Sequence, residues 1–289
     1  MSATVMSPDG DGPIERMESS NQLTDLGGER IAFVDREIVR SMAILGGCAG
    51  LLIAIVLGLL SWLVGIPFWI GVLVGFAAGG AMAWWLRRSA GGRVMGRLVA
   101  VDADPLPMAR FENLAEGLAL SIGIPEPELL VLDDTARNGL AVDDGVRATL
   151  AVTKGLLEDL DQMEMEGVVA ALLVRLKTGD ARAATLAAGM IGIPLIDSAV
   201  GPVCRPLSTL LLARLVPAER DVHLDRQAVA VTRYPPGLLA ALERMAPHSK
   251  PAMLCSSGTS HLWLAPPEQV DLIVPPTPLE WRIDILQEI

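Results

Sequence analysis

Between Ser41 and Leu86 the chain carries no charged residue. Gly65, Ile66 and Pro67 divide this stretch into two runs of about 20 residues each, the length that crosses a bilayer core. In lipid the backbone is satisfied only inside a helix or a closed barrel, so the stretch predicts a transmembrane helical hairpin over 41–86. Trp62 and Trp69 flank the turn, and Trp84 and Trp85 close the second run, where amphipathic rings favour the headgroup level. Arg36 and Arg40 precede the first run, and Arg87, Arg88, Arg93 and Arg97 follow the second. The positive-inside rule then predicts a multi-pass protein of the inner, cytoplasmic membrane with its N-terminus and C-terminal domain both in the cytoplasm. Gly71, Gly75 and Gly79 recur at every fourth residue, as do Gly46 and Gly50. Such stripes allow close backbone approach, either between the two helices or in a homo-oligomer seam through Gly71, Gly75 and Gly79.

Composition narrows the function classes around that hairpin. The 289 residues are 51% hydrophobic, with a mean hydropathy of +0.44, too apolar for an ordinary soluble chain of this length. A net charge of -11 excludes the clustered basic surface that a nucleic-acid partner needs. Cys48, Cys204 and Cys255 are odd in number and widely spaced, which suggests neither a disulfide framework nor a C-x-x-C metal site. Lysine occurs only at Lys154, Lys177 and Lys250, against many arginines, a usage that points to a GC-rich bacterial genome. Residues 1–28 are rich in Gly, Ser, Asp and Glu and too poor in apolar surface to offset their ordering entropy, so they read as a disordered tail. After the linker SAGGR at 89–93 a domain is expected over 94–289.

Chemistry concentrates in the stretch from Gly155 to Asp180, which reads as one helix: Val169, Leu172, Leu173 and Leu176 fall at the spacing of a buried helical face. Within it, GVVAALLVRLKTGD resembles the active-site helix of the HtpX-like membrane zinc peptidases, the family that includes the CAAX prenyl proteases. The family pattern is roughly G-V-x-A-H-E-L-x-H-x-K-x-x-D. Gly167, Val168, Ala170, Leu173, Lys177 and Asp180 agree with it, but Ala171 stands at the first His position, Leu172 at the Glu position and Arg175 at the second His position. In an H-E-x-x-H helix the two His bind zinc and the Glu activates the metal-bound water. Ala171 offers no donor atom, Leu172 moves no proton, and Arg175 is a permanent cation that would repel a metal.

The resemblance extends along the chain. NLAEGLALSIGIPEPELLVLDDTARNGLAV, Asn113 to Val142, is similar to the family's segment ahead of that helix, with a strand at Leu129–Leu132 and Asn138 near the start of the next. On its own terms, the alternation of Thr149, Ala151 and Thr153 with Leu150 and Val152 predicts another strand. Glu219 to Met245 resembles the helix carrying the third ligand, with Asp221 at the ligand Glu position and Asp225 at the position of the supporting Asp. His223 falls outside the pattern and reads as an exposed polar residue. TSHLWLAPP, around His261, looks like the family's strand near the substrate, and PTPLEWRIDIL matches its closing helix. His248 is isolated. Between Ala183 and Val216, Asp197, Arg205 and three prolines interrupt two apolar stretches, so buried core helices and a second membrane pair both fit.

The resemblance implies an α+β, mainly helical fold: a transmembrane hairpin followed by a zincin-like domain with a small sheet whose edge can take an extended peptide. It implies a pseudopeptidase, with no catalytic residues, no cofactor and no metal where active relatives hold zinc. Its partners would be the membrane, protein or peptide segments, or an active paralogue in membrane-protein quality control. Two alternatives stand beside it: an active zinc endopeptidase with substitute ligands, and a structural membrane protein with a filled cleft. Because Arg175 and Asp221 occupy positions that approach one metal ion in the family, they are expected to pair, with Asp225 as a further acceptor.

Overall fold

The computed structural model describes residues 13–199, 201–217, 219–245, 255–265 and 277–289. Helix α1, Pro13–Leu63, and helix α2, Phe68–Arg88, form a hairpin. Its candidate membrane spans are Val39–Leu63 and Phe68–Arg88. The turn uses Gly65 at φ +80, a left-handed conformation that side-chain-bearing residues adopt only at a cost. The glycine stripe lies inside this hairpin. A Cβ on Gly71 would collide with the Leu57 carbonyl, one on Gly75 with the Ala54 backbone, and one on Gly79 with the Gly46 carbonyl. Leu52, Leu59, Leu73 and Trp84 point outward and are exposed, leaving an apolar outer surface of the kind that lipid covers.

Helix α1 begins at Pro13, inside the stretch whose composition points to a tail. Glu, Arg, Met, Gln and Leu there are good helix formers, and propensity can extend an established helix without any packing partner. Residues 1–12 lie outside the described residues.

Helix α3, Ala90–Met95, turns the chain out of the hairpin into a domain built around three strands: β1, Glu128–Leu132, β2, Gly139–Asp143, and β3, Ala148–Thr153. Their order is β1-β3-β2, with β1 parallel and β2 antiparallel to β3. Helix α4, Pro105–Ile122, starts with Pro at its first position and ends at left-handed Gly123, the Pro-in, Gly-out pattern that bounds a helix in sequence. The expected alternation in β3 is present, but both of its faces are buried. Leu150 and Val152 join the cluster of Phe111, Leu157, Val169 and Leu173, whereas Ala151 joins Leu132, Leu140 and Trp263 on the other face.

The stretch read as one helix from Gly155 to Asp180 is two. Helix α5, Lys154–Asp159, stops at extended Leu160, and α6, Gln162–Lys177, starts afresh. The break is made by a capping box: the Asp161 carboxylate accepts from the Met163 and Glu164 amides, each at 2.9 Å, and Glu164 accepts from the Asp161 amide at 2.9 Å. An Asp three residues ahead of a Glu satisfies a new set of helix N–H groups and so favours restarting over continuing. Helix α6 is buried all round from Val168 to Arg175, because β2, α4, α9 (Arg220–Thr232) and α10 (Pro235–Arg244) all pack on it.

Beyond left-handed Gly179, α7 (Asp180–Ala187) continues into a π-helical segment, Ala188–Ile196, and then α8, Gly201–Leu215. Met190, Ile191, Leu211 and Leu215 pack there against Leu45 at the foot of the hairpin. The chain closes with a short turn, Ser260–Leu262, an extended Trp263, and α11, Leu279–Gln287.

Candidate functional site

The one-turn spacing of α6 places Ala171, Leu172 and Arg175 in the interior, facing α9 and the β2 edge. Leu172 is fully buried, and a Cβ on Gly139 of β2 would stand 3.2 Å from its Cδ1, so an apolar side chain fills the catalytic Glu position against the sheet. Arg175 Nη2 donates to Asp221 Oδ1 on α9 at 2.9 Å, with both side chains nearly inaccessible to solvent. The expected pair is therefore formed.

Asp225, expected as a further acceptor for Arg175, is instead taken by Arg282 of α11. Arg282 Nε and Nη2 donate to the two Asp225 oxygens at 2.7 and 2.8 Å. One turn of helix separates Asp221 from Asp225, enough to give each carboxylate its own guanidinium, and the planar fork of arginine matches a carboxylate with two parallel bonds. A third ion pair completes the group: Arg220 Nη1 donates to Asp180 Oδ2 at 2.9 Å, and Arg220 Nε lies 3.7 Å from Asp221. Three arginines thus meet three aspartates, all buried.

Burial alone would raise the Asp221 carboxyl, but Arg220 and Arg175 together hold it below the ordinary carboxylate range. Burial and the neighbouring Arg220 push His261 down to about 4, so its ring is neutral at pH 7, with Nε2 3.1 Å from the Ala184 carbonyl oxygen. His223 is exposed, as expected, and His248 lies outside the described residues.

Sequence reasoning missed the second role of these arginines. Arg220 Nη2 donates to the His261 carbonyl, Arg175 Nη1 approaches the Trp263 carbonyl at 3.4 Å, and Arg282 Nη1 donates to the Leu264 carbonyl at 2.7 Å. Arg282 was visible only as part of the closing-helix motif PTPLEWRIDIL and Arg220 carried no signal of its own, and a backbone acceptor leaves no mark in sequence. The segment they hold lies along β2: Trp263 bridges Leu140 in antiparallel fashion, and the Leu264 amide donates to the Gly139 carbonyl at 2.8 Å. Asn138 receives the Ala265 amide at 3.2 Å and donates to the Ala265 carbonyl at 2.5 Å.

Zinc requires about three His, Cys or carboxylate ligands converging on one point. Among the described residues no group of three such side chains is placed to hold a metal. At the positions in question, Ala171 and Leu172 lack donor atoms and Asp221 is engaged by two guanidinium groups. These residues do not fit zinc.

Two candidate membrane spans, a mainly helical domain with a three-stranded sheet, and a buried centre between α6 and α9 set the class: an α+β protein that follows an apolar helical hairpin. Comparison with known proteins resolves the class further. A protein named Protease HtpX homolog from Dictyoglomus thermophilum is 32% identical over 181 residues, covering 54% of this chain and 60% of that one. A protein of the same name from Tropheryma whipplei is 30% identical over 184 residues, 55% of this chain and 63% of that one. One from Pyrococcus abyssi is 25% identical over 91% of this chain and 94% of its own length. The chain is HtpX-like. The first two matches span about three-fifths of those relatives' length. No family model matches the chain, and no solved structure does.

Proposed function

We propose that this protein is a membrane-anchored pseudopeptidase with a zincin-like domain, oriented with both termini in the cytoplasm, that acts by binding and not by hydrolysis. The observation that carries this reading is the Arg175–Asp221 pair at 2.9 Å. It joins by charge two helices that a shared metal would join in an active relative, and it leaves no group able to activate water by this family's chemistry. Partners of matching chemistry are extended protein segments or an active paralogue in membrane-protein quality control.

A second reading, a structural membrane protein with a filled cleft, draws support from the Trp263 segment lying on β2. An active enzyme with substitute ligands would need donors that this centre does not offer.

Incubating the purified full-length chain with casein and with a model membrane protein, with and without chelator, tests the proposal. Intact substrates in both arms are expected. Chelator-sensitive cleavage that stays with the protein through further purification would defeat it.

A further inference from the structure

Helix α8, Gly201–Leu215, is neither a second membrane span nor a core helix, the two readings that the sequence leaves open for this region. Its 15 residues give about 22 Å of helix, against about 30 Å for a hydrocarbon core. The π-helical segment before it, Ala188–Ile196, runs into Asp197, and Asp197 is anchored in the domain. It accepts from Ser256 Oγ at 2.7 Å, from the Gly258 amide at 2.9 Å and from Arg97 at 2.6 Å. The turn that joins the two helices is thereby held beside the exit of the hairpin and does not cross to the far side of a bilayer.

One face of α8 is core: Ser208, Leu211, Leu212 and Leu215 are buried. The opposite face is apolar as well, yet open. Val203 is 84% exposed and Leu210, two turns further along the same face, is 52% exposed, with Pro206 exposed and Leu207 half-buried beside them. In a chain of net charge -11 this helix contains no acidic residue, and its only charges are Arg205 and Arg214. An apolar face with basic residues and no acid suits a helix that lies in a membrane interface better than one bathed in water.

Depth decides what the open face meets. Across the hairpin Arg87 Nη1 lies 3.9 Å from Met42 Sδ, so the arginine layer that closes the second span stands level with Met42. Helix α8 packs on α1, in the cluster that holds Leu45, Leu211, Leu212 and Leu215. Leu45 stands three residues further into the span than Met42, about 4.5 Å along the helix. The helix therefore meets the hairpin on the bilayer side of its arginine layer, and its outward face continues the apolar outer surface of the hairpin at that depth.

We propose that α8 is an interfacial helix that lies along the membrane surface without crossing it. Val203, Pro206 and Leu210 enter the boundary between headgroups and acyl chains, and Arg214 reaches from their edge towards lipid phosphates, its stem resting on the apolar face. The domain is then held to the bilayer at a second point besides the hairpin. This holds whether or not the chain cuts peptides.

The test uses the full-length chain in nanodiscs of phosphatidylethanolamine and phosphatidylglycerol, with benzoylphenylalanine placed singly at Val203, at Leu210 and, as a position within the first span, at Leu52. After irradiation each protein is expected to gain the mass of one phospholipid at the substituted position. A lipid adduct at Leu52 with none at either α8 position overturns the proposal. A crosslink to a second copy of the chain at 203 and 210, in place of lipid, assigns the face to a protein interface and overturns it too. Hydroxyl-radical oxidation of the unmodified chain in the same nanodiscs decides without any substitution. Val203 and Leu210 are expected to be protected, while Leu106, 84% exposed and close to exposed Asp104, is oxidised. Oxidation of Val203 to the extent of Leu106 would place α8 in water and overturn the proposal.

Discussion

Deleting Asp221 and deleting Arg175 are unequal injuries, because their remaining partners differ. Without Arg175, Asp221 still has Arg220 at 3.7 Å. Without Asp221, Arg175 keeps a long contact to the Trp263 carbonyl at 3.4 Å and the weaker attraction of Asp180, and a buried charge that loses its partner costs up to about 3 to 5 kcal/mol. Asp221→Leu is therefore expected to lower the thermal midpoint more than Arg175→Met, and the double variant to be milder than the sum of the two. Strict additivity would mean that the side chains do not act on each other. His261 supplies a prediction in pH. Its folded value, about 4, lies below that of a free imidazole, so the unfolded chain binds the proton first as pH falls. The stabilisation is complete above about 6.5 and is lost on the way down to about 4, roughly 3 kcal/mol in all. His261→Gln, which keeps a donor for Ala184, should flatten stability across that window in denaturant titrations at successive pH values. An unchanged slope would place the acid sensitivity elsewhere.

Helix α6 illustrates what periodicity leaves out. The apolar spacing located its inner face, and the charges at Asp161 and Glu164 were visible, but their action as a cap and not as part of a continuous helix depends on the extended backbone at Leu160. Asp161→Ala removes the acceptor of two amides and is expected to cost about 1 kcal/mol, read as a shifted denaturation midpoint. No shift would make α5 and α6 one unit energetically. The hairpin gives a paired test. A Cβ on Gly79 meets the backbone of α1, whereas one on Gly80 meets nothing within 4 Å. Gly79→Ala should destabilise the hairpin, and Gly80→Ala should be neutral or gain up to about 1 kcal/mol from helix propensity. Equal effects on thermal unfolding would contradict the packing.

At the scale of the molecule, much of the layout was legible in sequence because it is written in long apolar runs and ordered motifs. The hairpin follows from the charge-free stretch 41–86 and β3 from the alternation over 149–153, whereas the other two strands were placed by the family resemblance. The Arg175–Asp221 pair was legible because two substituted positions had to share one space. The rest of the centre was not, since Arg220 reaches back to Asp180 and Arg282 comes from the closing helix, and both divide their donors between carboxylates and the carbonyls of residues 261 and 264. A reporter active only outside the cytoplasm, fused after Ile289, should stay silent if both ends of the hairpin are cytoplasmic; a strong signal would reverse that orientation. The claim on which the account turns is that charge has taken the place of metal between α6 and α9. Zinc content of the purified full-length chain tests it most directly, measured beside a variant carrying Ala171→His, Leu172→Glu, Arg175→His and Asp221→Glu. The unmodified chain is expected to carry well under one zinc, and one tightly held zinc per unmodified chain would contradict the replacement of metal by charge.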